Sequence, residues 1–189
     1  MKKRALLLSA FVGLLGLPLV ILAQEPNFGR AVALDSDDLV IGQPVNWYGP
    51  GAVYTYRKIP DGGWTEDALL TAPDSSRKDD FGRALALDGN TLVVGAPRKR
   101  DGSGVAYAFT RAGPGASWQS TAVIEPPRAG DHAEYAASMA LRGDDLLVGS
   151  PATESTGVVY HFIRRGDGWG LASVIEPPRA DGVSGFGAS

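Results

Sequence analysis

The sequence predicts an all-β fold made of repeated, four-stranded antiparallel units. Three observations predict it. The 189 residues include 25 glycines and 13 prolines, a composition that favours tight turns over long helices. A unit of about 53 residues occurs three times and begins a fourth time. Inside each unit, short apolar runs rich in β-branched residues alternate with turn residues, which is the pattern of short strands.

Four landmarks define the repeat, and their equivalents are spaced 51 to 54 residues apart. They are an aromatic–small pair, a Gly-x-Pro motif, a Gly-x-x-Tyr motif and a tryptophan. The first set is Phe28-Gly29, Gly42-Gln43-Pro44, Gly51-Ala52-Val53-Tyr54 and Trp64; the second is Phe81-Gly82, Gly95-Ala96-Pro97, Gly104-Val105-Ala106-Tyr107 and Trp118; the third is Tyr135-Ala136, Gly149-Ser150-Pro151, Gly157-Val158-Val159-Tyr160 and Trp169. The units cover about residues 27–80, 81–134 and 135–185, and residues 186–189 begin another with Phe186-Gly187.

The residue pattern predicts four strands in each unit, and in the second unit these strands are 81–87, 91–94, 104–110 and 118–124. The turn at Asp88-Gly89-Asn90 joins the first two strands, and Pro97 ends the second because proline cannot donate to a ladder. The first two strands are apolar on both faces, so a sheet must pack on each side of them. This predicts the blades of a β-propeller with an incomplete ring. Separate small β-meanders are the rival, but an isolated meander cannot bury both faces of its inner strands.

The Phe-Gly and Gly-Ala-Pro landmarks, as in Phe81-Gly82 and Gly95-Ala96-Pro97, resemble the FG-GAP repeat of integrin α-subunit propellers. They resemble still more the FG-GAP repeats of bacterial exported proteins. The resemblance covers residues 27–189 and implies a propeller that binds partners on the face carrying the loops after Gly-x-Pro. The third copy departs from the pattern, with Tyr135-Ala136 for Phe-Gly and Ser150 for the middle alanine.

Residues 1–23 predict a secretory signal peptide. The basic start Met1-Lys2-Lys3-Arg4 precedes an apolar run to Ala23, and polar sequence begins at Gln24. An uncleaved membrane anchor is the alternative, because the run is long enough to span a bilayer. The expected location is secreted, periplasmic or at the cell surface, with residues 24–189 as the mature chain.

Charge and composition exclude several classes of partner and metal site. Removing the three basic residues of the leader changes the net charge from −3 to −6, which disfavours nucleic acid. The chain has no cysteine, so disulfides and thiolate metal sites are excluded. Integrin repeats often bind calcium in the first hairpin. The matching segments here, Asp35–Asp38, Asp88–Asn90 and Arg142–Asp145, are turns too short for several oxygen ligands to converge. No cofactor is therefore expected.

The loops after Gly-x-Pro vary most between units and are the candidate binding site. Trp47 and Tyr48 supply aromatic contact area in the first loop, and Arg98, Lys99 and Arg100 make the second loop basic. These five residues predict a protein or glycan ligand with acidic groups. Ring closure would need further blades or the assembly of several copies.

A binding or adhesion module is the favoured function, and the chain is not expected to be an enzyme. Two alternatives stay open, a propeller-based enzyme and a structural spacer in a longer surface protein. His132 and His161 have no partner at motif spacing, although a Ser-His-Asp triad assembles in space rather than in sequence. Arg142-Gly143-Asp144 spells an integrin-recognised tripeptide, but a hairpin turn needs glycine and aspartate for backbone reasons.

Overall fold

The computed structural model describes residues 27–45, 49–127, 134–151, 156–178 and 185–189. In these ranges twelve strands form three four-stranded antiparallel sheets. Sheet 1 contains β1 (Ala31–Asp35), β2 (Asp38–Gln43), β3 (Ala52–Lys58) and β4 (Trp64–Leu70); sheet 2 contains β5 (Ala84–Asp88), β6 (Thr91–Ala96), β7 (Val105–Thr110) and β8 (Gln119–Ile124); sheet 3 contains β9 (Ser138–Arg142), β10 (Asp145–Ser150), β11 (Val158–Arg165) and β12 (Gly168–Ile175). The described residues include one short helical segment, α1 (Lys99–Gly102), in which Arg100 and Asp101 have left-handed φ angles. The predicted leader at residues 1–23 lies outside the described residues.

Strand order within each sheet follows the chain, so each sheet is a simple meander. The first hairpin of each sheet has a two-residue turn whose first residue has positive φ: Ser36 at 53°, Gly89 at 55° and Gly143 at 57°. Such turns match the natural twist of paired strands. The all-β class, the three four-stranded units and the open ring are confirmed.

The first strand of each unit starts later than the sequence predicts. Phe81 to Arg83 form a turn rather than strand, and β5 begins at Ala84. Asp80 and Gly82 have φ angles of 58° and 92°, and the Arg83 amide donates to the Asp80 carbonyl at 3.0 Å. The prediction of a strand from Phe81 is wrong because the positive φ angles at Asp80 and Gly82 take this backbone out of the extended conformation.

Neighbouring sheets pack face to face along the order of the chain. We call the face of a sheet that is turned to the preceding sheet its front, and the other face its back. One core lies between the back of sheet 1 and the front of sheet 2, and a second lies between sheets 2 and 3. Phe81 and Leu92 are fully buried in the first core, and Tyr135 and Leu146 hold the equivalent places in the second.

The glycine near the end of each second strand permits this packing. A Cβ at Gly42 would overlap the carbonyl oxygen of Gly82, and a Cβ at Gly95 would overlap that of Ala136. The Phe-Gly turn of one unit therefore lies directly on the second strand of the unit before it. This contact links two of the sequence landmarks: the glycine of Gly-x-Pro makes room for the following Phe-Gly.

Polar contacts also join successive sheets at the hairpin end. The Asp35 carboxylate accepts a hydrogen bond from the Gly89 amide at 2.6 Å, and Asp88 accepts one from the Gly143 amide. Arg111, directly after β7, pairs with Asp38 of sheet 1. Its equivalent in sheet 3, Arg164, donates to the Thr91 hydroxyl at 2.8 Å. In the described part of the chain, no helix has the length and apolarity that a membrane crossing requires.

Candidate functional site

The candidate site lies at the end of sheet 2 where β6 ends and β7 begins. We call the segment from Arg98 to Ser103 the sheet 2 loop. Pro97 ends β6, and the loop closes when the Gly104 amide donates to the Lys99 carbonyl at 3.0 Å. Because strand order follows the chain, the connections between sheets emerge at this same end. The Arg98 amide donates to the Asp79 carbonyl in the connection 71–80, so the loop and the connection are in contact.

Lys99 lies beneath the surface of this loop. Its side chain is 7% exposed, and its ammonium group donates to the Asp74 carbonyl at 2.7 Å and to the Asp79 carboxylate at 3.0 Å. Asp79 is also buried and accepts the Ser76 amide at 2.7 Å. The prediction that all three basic residues project from a surface loop is wrong for Lys99, because the connection 71–80 folds over it and supplies its partners.

A tyrosine from the sheet extends this network. The Tyr107 hydroxyl, on β7, donates to the Asp74 carboxylate at 2.6 Å. Burial raises the pKa of Tyr107 well above its usual value, and the hydrogen bond to Asp74 adds to the effect. Burial alone would raise the pKa of Asp74, but hydrogen bonds from Tyr107 and Lys99 outweigh it and hold that pKa below its usual value. Asp74 is therefore an ionised anchor that fixes the connection to sheet 2.

Arg98 and Arg100 are the basic side chains that reach solvent from this loop. Arg98 is 61% exposed, and its Nε lies 3.3 Å from a carboxylate oxygen of the buried Asp80. Arg100 is half exposed and donates to Glu125 at 2.8 Å. That hydrogen bond lowers the pKa of Glu125. Each guanidinium group thus has an acidic partner within the chain, and the loop is less cationic than its sequence indicates.

The aromatic half of the predicted site, Trp47 and Tyr48, lies outside the described residues. Val45, just before it, is exposed. The structure therefore places Arg98 and Arg100 at the surface and Lys99 in the interior. It neither joins these residues to the aromatic pair nor separates them from it.

The acidic residues of the connection were not predicted to belong to the site. Asp74, Asp79 and Asp80 lie in a polar run between two strands, which reads as an ordinary linker. These acidic residues could have been predicted from the basic loop, because a lysine or arginine beside a buried turn needs a carboxylate partner nearby. The run 74–80 is the nearest acidic segment before sheet 2.

The three first-hairpin turns are the positions where a calcium loop of this repeat would lie. Among the residues that the structure describes, no group of three or more His, Asp or Glu side chains is placed to hold a metal ion. The tripeptide Arg142-Gly143-Asp144 forms the turn between β9 and β10, as predicted. Its Gly143 amide donates to Asp88, and its Asp144 lies 3.2 Å from Arg164. Asp88 and Asp144 therefore take part in contacts within the chain.

His161 lies between two potential partners on sheet 3. Its Nε2 is 2.7 Å from Asp145, and its Nδ1 is 3.5 Å from the Ser173 hydroxyl. The second distance is at the limit of a hydrogen bond. The equivalent positions in sheets 1 and 2 are Thr55 and Ala108, which are buried against the next sheet. We interpret the trio as part of a packing surface. His132, the other histidine, lies outside the described residues.

The meander sheets, their stacking and the docked Phe-Gly turns define a protein built from β-propeller-like blades, which do not close a ring within the residues that the structure describes. Residues 64–109 match the family model of the FG-GAP repeat. This segment is thus an FG-GAP repeat, which is consistent with the repeat pattern of the rest of the chain. The matched segment begins in β4 of sheet 1 and ends in β7 of sheet 2, so the family's repeat unit spans the junction between two sheets. No curated protein matches the chain.

Proposed function

We propose that the chain is an exported FG-GAP propeller module that binds a protein or glycan ligand through its loop end. The observation that carries the proposal is the pair of exposed guanidinium groups, Arg98 and Arg100, on a loop fixed by the buried Lys99–Asp79 ion pair. A loop that is already ordered loses little conformational entropy on binding. Arginine is a frequent interface anchor because its planar donors match carboxylate and sulfate groups.

The ligand chemistry follows from the partners that these arginines already have. Glu125 is itself more than half exposed, so an external carboxylate or sulfate can take its place on Arg100. The ligand would exchange one acidic partner for another and gain contact area from neighbouring loops. Trp47 and Tyr48 would add aromatic contacts if the first loop meets the same ligand.

Heparin, as an anionic glycan probe, and a glutamate-rich peptide test the binding proposal. We expect salt-sensitive binding of one of them. The double variant Arg98→Ser/Arg100→Ser should bind at least about tenfold more weakly, the effect of about 1.4 kcal/mol. The matched control is Arg142→Ser/Arg165→Ser, which removes two cations at the hairpin end of sheet 3. Equal losses in both double variants would show a general charge effect and contradict the loop site.

A separate measurement tests export. Intact-mass analysis of secreted material should give a chain that begins at or near Gln24. Recovery of a chain with residues 1–23 in a membrane fraction would contradict cleavage. Absence of binding to both probes would favour the spacer alternative. A ligand found later whose affinity is unchanged by Trp47→Ala/Tyr48→Ala would also count against the loop site.

A further inference from the structure

The front of sheet 1 is an apolar surface that no described residue covers. Phe28, Val32 and Leu34 are 49%, 60% and 64% exposed. Their equivalents on sheet 2 pack against sheet 1: Phe81 is fully buried, and Leu85 and Leu87 contact the same core. The contrast arises from position in the chain, since sheet 2 has a preceding sheet and sheet 1 has none among the described residues.

The two internal junctions define what fits such a front. In each, the preceding sheet presents a row of small side chains across its four strands, paired in register. The rows are Ala33, Val40, Thr55 and Ala68 on sheet 1, and Ala86, Val93, Ala108 and Ala122 on sheet 2. Sheet 3 carries the corresponding row Ala140, Leu147, His161 and Ser173, and Ala140 and Leu147 are exposed. The open front and this open back are therefore the two halves of one kind of junction.

Charge complementarity supports a match between these two surfaces. At the first junction Arg111 pairs with Asp38. Lys58 is the equivalent of Arg111 on sheet 1 and is exposed. Asp145 is the equivalent of Asp38 on sheet 3 and is also exposed. Docking the front of sheet 1 on the back of a sheet 3 would bring a lysine opposite an aspartate.

A second complementary pair lies at the first hairpin. On sheets 1 and 2, Asp35 and Asp88 accept the turn amide of the following sheet. Sheet 3 has Arg142 at this position, which is exposed and cannot accept a hydrogen bond. The turn that it would meet on sheet 1 carries Asp37, also exposed. At the internal junctions the acceptor lies on the preceding sheet and the donor on the following turn. At this junction the donor, Arg142, would lie on the preceding sheet and the acceptor, Asp37, on the turn.

We propose that the front of sheet 1 docks on the back of sheet 3 of a second copy of this chain, with Lys58 opposite Asp145 and Arg142 opposite Asp37. Two such head-to-tail contacts form a closed ring when the front of sheet 1 of the second copy also docks on the back of sheet 3 of the first copy. The described sheets of two copies number six, within the four to eight blades of known propellers. The inference is independent of the proposed loop site.

Residues 185–189 compete with this contact. Phe186 and Gly187 lie on the back of sheet 3, where the Ser138 hydroxyl donates to the Gly187 carbonyl at 2.7 Å. A Cβ at Gly149 or Gly157 would overlap the carbonyl oxygens of this segment. Phe28-Gly29 of the second copy would take the same place, so association requires residues 185–189 to leave.

Sedimentation velocity over a range of protein concentrations tests the proposal. All variants share the same amino terminus, so any contribution of that segment is common to them. We expect a dimer whose dissociation constant rises about tenfold or more in Lys58→Glu and in Asp145→Lys, as for close charge pairs at interfaces. The combined variant Lys58→Glu/Asp145→Lys restores opposite charges and should recover the affinity. Asp61→Lys, in the exposed turn before β4, is the control and should leave the dissociation constant unchanged.

Deletion of residues 185–189 provides the second arm and should strengthen the dimer. A chain that stays monomeric at all concentrations, with and without residues 185–189, would overturn the proposal. A dimer that ignores both charge reversals, or that the combined variant fails to restore, would also overturn it.

Discussion

Buried polar side chains concentrate where the connection 71–80 meets sheet 2. Lys99 and Asp79 are both buried and lie 3.0 Å apart, and Tyr107 and Asp74 complete the network. Transfer of single charges into such a site is costly, so each member depends on the others. The exposed Arg98, next to Lys99 in sequence, forms an ion pair with Asp80, which allows the two residues to be compared directly.

Lys99→Met should lower the free energy of unfolding by about 3 kcal/mol, because it leaves Asp79 buried without its partner. Arg98→Met removes the partner of the buried Asp80, but Arg98 itself is 61% exposed, so the loss should be smaller, about 1 kcal/mol or less. Urea denaturation of both variants measures the difference. Similar losses in the two variants would show that Lys99 is not held as described.

Tyr135→Phe should stabilise the chain. The Tyr135 hydroxyl is buried and has no hydrogen-bond partner among the described residues. Burial raises its pKa well above the usual value. An unsatisfied buried hydroxyl costs about 1–3 kcal/mol, and phenylalanine at this position restores the Phe of the other units. An unchanged or lower melting temperature would indicate that the hydroxyl has a partner.

The Asp80 carboxyl group should lower the free energy of unfolding as pH rises. Burial raises its pKa, with Asp79 and Glu134 adding to the effect and Arg98 and Arg83 opposing it. The folded state therefore favours the protonated form, and this stability is lost as pH rises through the folded pKa. Asp80→Asn removes the charge and tolerates the φ of 58°.

Urea denaturation at two pH values tests this effect of Asp80. The variant Asp80→Asn should be more stable than the natural chain at pH 7, and the gain should shrink below the usual carboxyl pKa of about 3.9. Asp61→Asn, in an exposed turn, is the control and should show no such dependence. A gain that is equal at both pH values would contradict the assignment to the Asp80 charge.

At the scale of the strands, the turn that begins each following unit docks on a glycine near the end of the preceding second strand. Gly95 lies under the carbonyl oxygen of Ala136, so any Cβ there displaces the next unit's turn. Gly95→Ala should cost about 2 kcal/mol in unfolding free energy through this overlap. Gly113→Ala meets no atom within 4 Å and serves as the control, with an expected change below about 0.5 kcal/mol. Equal effects in denaturant titrations would contradict the packing role of Gly95.

Sequence periodicity predicted the strands and their order because each unit repeats its own turn residues. It placed the first strand too early, since the positive φ at Asp80 depends on how the turn lies on Gly42 in the preceding sheet. It placed Lys99 at the surface for a related reason. The partners of Lys99 are 20 and 25 residues away, in a connection whose path over the loop no local pattern encodes.

For the whole molecule, we expect stability that does not depend on calcium. The first-hairpin turns are two residues long, and their carboxylates Asp35 and Asp88 already hold turn amides of the next sheet. Calcium chelator should leave the melting temperature unchanged, with magnesium chelation as the control. A fall of more than about 2–4 °C corresponds to about 1 kcal/mol and would mean that a metal site exists.

The Phe-Gly turn that lies on the preceding second strand also has a consequence in time. Ribosomes add about 5–20 residues per second, so a unit of this length takes roughly 3–10 s to emerge. Hairpins form in about 1–10 μs. Each sheet can thus be complete, with its Gly42 or Gly95 surface exposed, before the turn that covers it is synthesised. The order of synthesis and the order of docking coincide, so the chain can assemble from its amino-terminal end without waiting for a distant segment.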